Sequence, residues 1–142
     1  MKSIAILLTG TVLLSFNCFS QVPVKETDKI VGLYWSPKKD AKLQVYKKGD
    51  HFFGRSVWLS VHRKDSRNPD AALRNRELLG IELLSNFSYS NGTYTGGKIY
   101  DPESGKTYDC RITWAGEDLK VRGYIGISLF GRTEIFERIQ SN

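Results

Sequence analysis

The sequence predicts an all-β chain of about eight antiparallel strands, closing as a meander barrel with one short helix in the 61–80 segment. Three observations carry that reading. Apolar and polar residues alternate cleanly over Lys106–Trp114: Tyr108, Cys110, Ile112 and Trp114 face one way, Thr107, Asp109, Arg111 and Thr113 the other. Turn signals recur at short spacing, at Gly49-Asp50, Asn91-Gly92, Asp101–Gly105 and Ala115–Asp118. Glycines also interrupt strand-like runs at Gly54, Gly96, Gly97 and Gly123, where a missing side chain permits the coiling that closes a small barrel.

The chain starts with a segment that reads as an export signal, residues 1–20. Lys2 supplies the positive start, Ile4–Phe16 is an apolar run too short to span a bilayer, and Cys18-Phe19-Ser20 offers small residues for cleavage. Lipidation at Cys18 is disfavoured, because Phe16 and Asn17 stand where such motifs need small residues. A polar leader is expected over 21–29 and a single β-barrel domain over 30–139, placed in the periplasm or outside the cell.

Within the domain, Ile30–Trp35 is β-rich and stops at Ser36-Pro37. Leu43 and Val45 form one arm of a hairpin, and Phe52 through Leu59 forms the other. Val61–Gly80 then breaks the rhythm. Asn68-Pro69-Asp70 is a turn and capping signal, Pro69 suits a first helical position, Ala71–Leu78 favours helix, and Gly80 would end it. Strands resume at Ile81–Phe87 and Thr93–Tyr100. After Lys106–Trp114, Leu119, Val121 and Ile125 face opposite to Lys120, Arg122 and Tyr124, and the last strand is expected over Ser128–Ile139.

Charge and cysteine content narrow the function classes. The 21 basic residues exceed the 15 acidic ones for a formal net charge of +6, but they are scattered and form no block of like charge. That pattern fits a solvated surface better than a nucleic-acid face. No transmembrane segment is expected after cleavage. Only Cys110 would then remain, so the domain must hold together by packing and hydrogen bonds rather than by an internal disulfide.

The phrases NPDAALRNRELLGIELL, GGKIYDPESGKTYDC and LKVRGYIGISLFGRTEIFERI closely resemble the exported bacterial family catalogued as domain of unknown function 2147, over about Ile30–Ile139. The resemblance implies a small exported β-rich domain and brings no established activity. Gly32-Leu33-Tyr34-Trp35 more weakly resembles the first-strand Gly-x-Trp of the calycin barrels, the lipocalins, fatty-acid-binding proteins and avidin. In those families an arginine of the last strand packs on the indole. Here Tyr34 holds the tryptophan position, and the arginine would be Arg132 or Arg138.

No catalytic constellation is legible. His51, His62 and Cys110 are far apart in sequence, and zinc sites want three or four such ligands. Asp65, Asn68 and Asp70 are neighbouring oxygen donors without the glycine and terminal glutamate of a calcium loop. Cys110 lies on the apolar side of its strand, as a core residue rather than a nucleophile. No cofactor is expected. What remains is binding: 3 Trp, 7 Tyr and 7 Phe load a chain whose barrel interior is wide enough either to be filled or to hold one small ligand. The expected occupant is a lipid, another small or amphipathic molecule, or an envelope component; the alternative is an interaction module without a cavity. Candidate ligand contacts are Trp35, Trp58, Asp70, Arg74, Tyr100, Arg122, Tyr124 and Arg132.

Overall fold

The computed structural model describes residues 23–141, so the expected export signal at 1–20 lies outside the described residues. Eight strands follow one another: β1 (Gly32–Trp35), β2 (Ala41–Lys48), β3 (His51–Leu59), β4 (Glu82–Ser90), β5 (Thr93–Asp101), β6 (Lys106–Ala115), β7 (Asp118–Tyr124) and β8 (Arg132–Arg138). Each pairs antiparallel with the next, and β8 returns to β1 through Tyr34↔Arg138 and Trp35↔Glu137, closing the barrel.

The two ends differ. At one end β2–β3, β4–β5 and β6–β7 are joined by the two-residue turns Gly49-Asp50, Asn91-Gly92 and Gly116-Glu117. Asn91 and Gly92 both have positive φ, 48° and 78°, which is the primed turn that matches strand twist. At the other end lie all the longer connections, 36–40, 60–81, 102–105 and 125–131. We call this end the mouth.

The closed end is packed solid. Tyr94 is fully buried and meets Phe52 edge-on at 5.3 Å and Trp114 at 6.2 Å between ring centroids. A 3-10 turn at Glu26–Ile30, whose first four residues belong to the segment expected as a leader, plugs this end. Ile30 is buried there, and the hydroxyls of Tyr34 and Tyr94 donate to the Ile30 and Thr27 carbonyls, each at 2.9 Å. Those bonds satisfy phenols that burial would otherwise penalise.

Alternation sets the rest of the core, as expected around Cys110 and Ile112. Cys110 is buried, and desolvation pushes its thiol up to about 12, so it stays protonated and inert. The outer wall carries Lys42, Arg55, Lys98, Asp109, Arg111 and Lys120 on the alternate positions. The mid-strand glycines act through what they leave out. A Cβ on Gly97 would sit 2.5 Å from the Phe87 ring, so glycine is what lets Phe87 lie flat across the barrel. Gly97→Ala is expected to lower stability by about 2 kcal/mol through overpacking, read as a shift of the urea midpoint without change in slope.

Two expected elements differ. The helix in the 61–80 segment is only a 3-10 turn at Ala71–Leu73, capped by Asp70, whose Oδ1 accepts from the Ala72 amide at 2.9 Å. Pro69 therefore precedes the cap, and Gly80 ends no helix. The reason is tertiary: the backbone after Leu73 pairs with an earlier part of the same segment, Asp65 N with Arg76 O at 3.0 Å and Leu78 N with Arg63 O at 2.9 Å. Those bonds, and the burial of Leu78, override helix propensity. Second, the last strand starts at Arg132 rather than Ser128; Ser128–Phe130 is a 3-10 turn, and Ile125 stands 70% exposed instead of facing inward.

Candidate functional site

The mouth half of the barrel is hollow, with a cavity of about 470 Å³. Inward positions of six strands supply an apolar floor: Leu43, Leu84, Ile99, Val121 and Phe136, with Tyr108 beside them. Gly54 and Gly123 also face inward, and a Cβ on Gly123 would meet only Ile99 and Tyr108 at ordinary contact distances of 3.4 and 3.6 Å. The closed end fills with aromatic rings while this end alternates leucine, isoleucine, valine and glycine. That difference in volume opens the cavity.

The rim is polar and its charges are matched. Lys38 lies 2.9 Å from Glu103, Arg132 2.6 Å from Glu134, and Arg63 3.4 Å from Asp40. Glu103 and Asp101 stand on the 101–105 turn, where the Asp101 carboxylate accepts from Glu103 N at 2.9 Å and Ser104 Oγ at 2.7 Å. An occupant would meet an apolar floor and a polar rim on which each cation is already paired with a carboxylate.

The 60–81 connection folds over one side of the mouth, and its most buried anchor there is Asp65. Asp65 is fully buried, and its carboxylate accepts from Tyr100 Oη at 2.5 Å, Asn68 Nδ2 at 2.8 Å and Arg76 Nε at 2.9 Å. Burial alone would raise the carboxyl's pKa, but those three donors outweigh it and hold the group below the usual carboxylate range. Tyr100 moves the other way, to about 12, because it is desolvated and donates to that carboxylate. A second clamp joins Arg67 Nη1 to the Glu103 carbonyl at 2.6 Å. The oxygen donors weighed for calcium are thus engaged by the protein: Asp65 in this cluster, Asn68 with Asp65 and Asp70 N, and Asp70 as a cap.

The expected ligand contacts separate into groups. Tyr100, Tyr124 and Arg132 line the cavity. Trp35 and Trp58 form an edge-on pair at 5.6 Å on the outer wall, with Lys42 Nζ 4.6 Å from the Trp35 ring centre. Arg122 is on the outer face of β7, donating to Thr133 Oγ1 at 2.7 Å and the Leu129 carbonyl at 3.1 Å. Asp70 and Arg74 serve the 60–81 fold itself, Arg74 Nε donating to Asn68 O at 2.8 Å. Neither His51 nor His62 is among the residues lining the cavity. No spacing in the sequence marks Asp65, Asn68 and Arg76 as a cluster: their partner Tyr100 is 35 residues from Asp65.

At the closing seam, Arg138 is the arginine that packs on the first strand. Its guanidinium lies 4.7 Å from the Tyr34 ring centre and 5.8 Å from that of Trp114, and it donates to Tyr34 Oη and to the Lys29 and Val31 carbonyls. A Cβ on Gly32 would strike this guanidinium. Tyr34 therefore takes the place expected of the calycin tryptophan. Residues 32–138 match the sequence profile described as "Uncharacterized protein conserved in bacteria (DUF2147)". The chain belongs to this family. No curated protein matches the sequence. Among solved structures, protein HP1028 from the human pathogen Helicobacter pylori, which belongs to the lipocalin family, is similar with a TM-score of 0.70 and 25% identity, covering 78% of this chain and 82% of that one. This DUF2147 chain thus has a lipocalin-like barrel, with the family resemblance running through nearly all of its strands.

Proposed function

We propose that the protein is an exported carrier that binds one small amphipathic molecule in the mouth cavity. The apolar part lies on Leu43, Leu84, Ile99 and Val121, and the polar end meets the rim. The observation that carries this is the 470 Å³ cavity itself, apolar below and polar above, in the size range of small-molecule sites. An interaction module without a cavity would have this half filled as densely as the other. The similarity to a lipocalin-family protein supports the same reading. The matched rim charges favour a neutral or zwitterionic head over a strongly anionic one, because an added negative charge would find each rim cation already beside a carboxylate. The pattern of residues 1–20 supports export, to the periplasm or outside the cell.

The test is uptake of N-phenylnaphthylamine, a neutral apolar fluorophore, together with native mass spectrometry of protein purified from its own envelope. Saturable enhancement at one site per chain is expected. Gly123→Leu, which projects a side chain into the cavity from an unstrained strand position, should weaken it about tenfold, the order that one well-filled site turns on, while leaving the unfolding midpoint unchanged or raised. A clean ligand-free mass together with no probe uptake would overturn the proposal.

A further inference from the structure

The connection between β7 and β8 is unlike the other three at the mouth. Residues 125–131, Ile-Gly-Ile-Ser-Leu-Phe-Gly, carry no charge, whereas 36–40 and 60–81 hold Lys38, Lys39, Arg63, Lys64 and Arg67. Four of the seven are large apolar residues, and all four face solvent: Ile125 is 70% exposed, Ile127 58%, Leu129 75% and Phe130 80%. Isolated exposed leucines are ordinary, but four on one short turn form a patch on the order of 500 Å², the size at which such patches tend to be functional.

The turn is also built to keep them out. Gly131 packs directly against the Gly123 carbonyl, leaving no room for a Cβ at the base of the loop. Outside, the Arg122 guanidinium holds both the Leu129 carbonyl and Thr133 Oγ1. Gly126, at φ 80°, turns the chain where it leaves β7. Pinned at both feet, the loop presents Ile127 and Leu129 beyond the rim, while Ile125 and Phe130 border both the cavity and solvent.

We infer that this loop docks the mouth of the barrel on a lipid bilayer surface. Three features select a bilayer as the occupant. The patch is smaller than the roughly 800 Å² per partner of a stable protein interface, yet suits side chains that enter the headgroup region by about 5–10 Å. The loop is uncharged and so adds no charge-burial cost on entry, and the cations of the neighbouring 36–40 connection, Lys38 and Lys39, are each paired with a carboxylate, Glu103 and Glu137, which suits a zwitterionic surface. The patch is also continuous with the cavity, since Ile125 and Phe130 border both. Docking would bring the mouth to the bilayer, but it rests on the loop alone and not on the cavity being occupied.

The experiment uses Leu129→Trp, read against the parent, whose three tryptophans lie in the strands. With vesicles of phosphatidylcholine, the added tryptophan should shift to the blue and be quenched by lipids brominated along the acyl chain. The parent's emission should change little. The double variant Ile127→Ser/Leu129→Ser should cut vesicle partitioning about tenfold while keeping N-phenylnaphthylamine uptake in free solution. Gly123→Leu should lose uptake and keep docking, so the two proposals fail separately. Emission of Leu129→Trp that ignores vesicles overturns the inference, whether or not the protein sediments with them. So does a concentration-dependent dimer that the double variant abolishes, which would assign the patch to a second copy instead.

Discussion

Asp65→Ala is expected to cost about 3 kcal/mol of stability, a large share of what a domain this size has to lose. The substitution removes the acceptor shared by Tyr100 Oη, Asn68 Nδ2 and Arg76 Nε, and leaves the buried Asn68 amide and the half-buried Tyr100 hydroxyl without it. Loss should begin locally. The 60–81 segment carries Arg63, Lys64, Arg67, Arg74 and Arg76, so trypsin should cut it at least tenfold faster in the variant, with the barrel strands still protected. Asp65→Asn keeps the shape but turns one acceptor into a donor beside Arg76, and should recover little. The pH dependence has a definite sign. Because the folded-state pKa of Asp65 lies below its unfolded value, the carboxylate's contribution is complete above about pH 4 and fades as pH falls through the folded value. The difference in stability between parent and Asp65→Ala should therefore shrink on acidification, stay constant from neutral pH up to about 10, and fall again only where an unfolded tyrosine ionises while Tyr100, raised to about 12 by burial and by Asp65, does not. An unchanged gap at pH 3, measured by urea unfolding, would place the effect in packing instead.

Arg138→Ala is the second large effect, also about 3 kcal/mol. Closure of the barrel depends on a short seam: β1 and β8 share two residue pairs, Tyr34↔Arg138 and Trp35↔Glu137, plus the 2.8 Å bond from Ile139 N to Leu33 O. Arg138 fastens that seam from inside by covering the Tyr34 ring and reaching the carbonyls of Lys29 and Val31, which lie in and just after the plug. Truncation removes the cation from the aromatic face, unties the plug and leaves a void against Trp114. Arg138→Lys keeps the charge but lacks the planar fork that reaches several acceptors at once, so it should restore less than half of the loss. Amide exchange would show where the effect lands. Faster exchange confined to β1, β8 and residues 26–31 fits the seam; uniform acceleration would mean Arg138 supports the whole fold equally.

Much of the architecture is local and so was legible in the sequence. Alternation over Lys106–Trp114 and the Asn91-Gly92 turn depend on neighbouring residues alone, and the strands follow from them. The same holds for Cys110, whose parity with Tyr108 and Ile112 put it in the core. Where local preference met a distant partner, the partner decided. Ala71–Leu78 favours helix by propensity, yet Arg76 is drawn to Asp65 and Leu78 into the core, and a single 3-10 turn survives. The residues Ser128–Phe130 suit a strand, but Gly131 must pass close to Gly123 at the end of β7, and the strand starts only after it.

The expected contact residues divide in the same way. Tyr100, Tyr124 and Arg132 reach the cavity, whereas Trp35 and Trp58 stand on the outer wall, because in a barrel one step of parity separates the two surfaces. Sequence alone determined an all-β meander of this family, its turns, its buried thiol and the absence of any legible catalytic motif. Only the tertiary structure decided that Arg138 rather than Arg132 closes on Tyr34, that Asp65 anchors the 60–81 segment, and that one end of the barrel is solid while the other is hollow. The physical reason is that strand parity and turn type are read within a few residues. Register across the seam and the volume left between eight converging strands are set by residues as much as 104 positions apart, such as Arg138 and Tyr34.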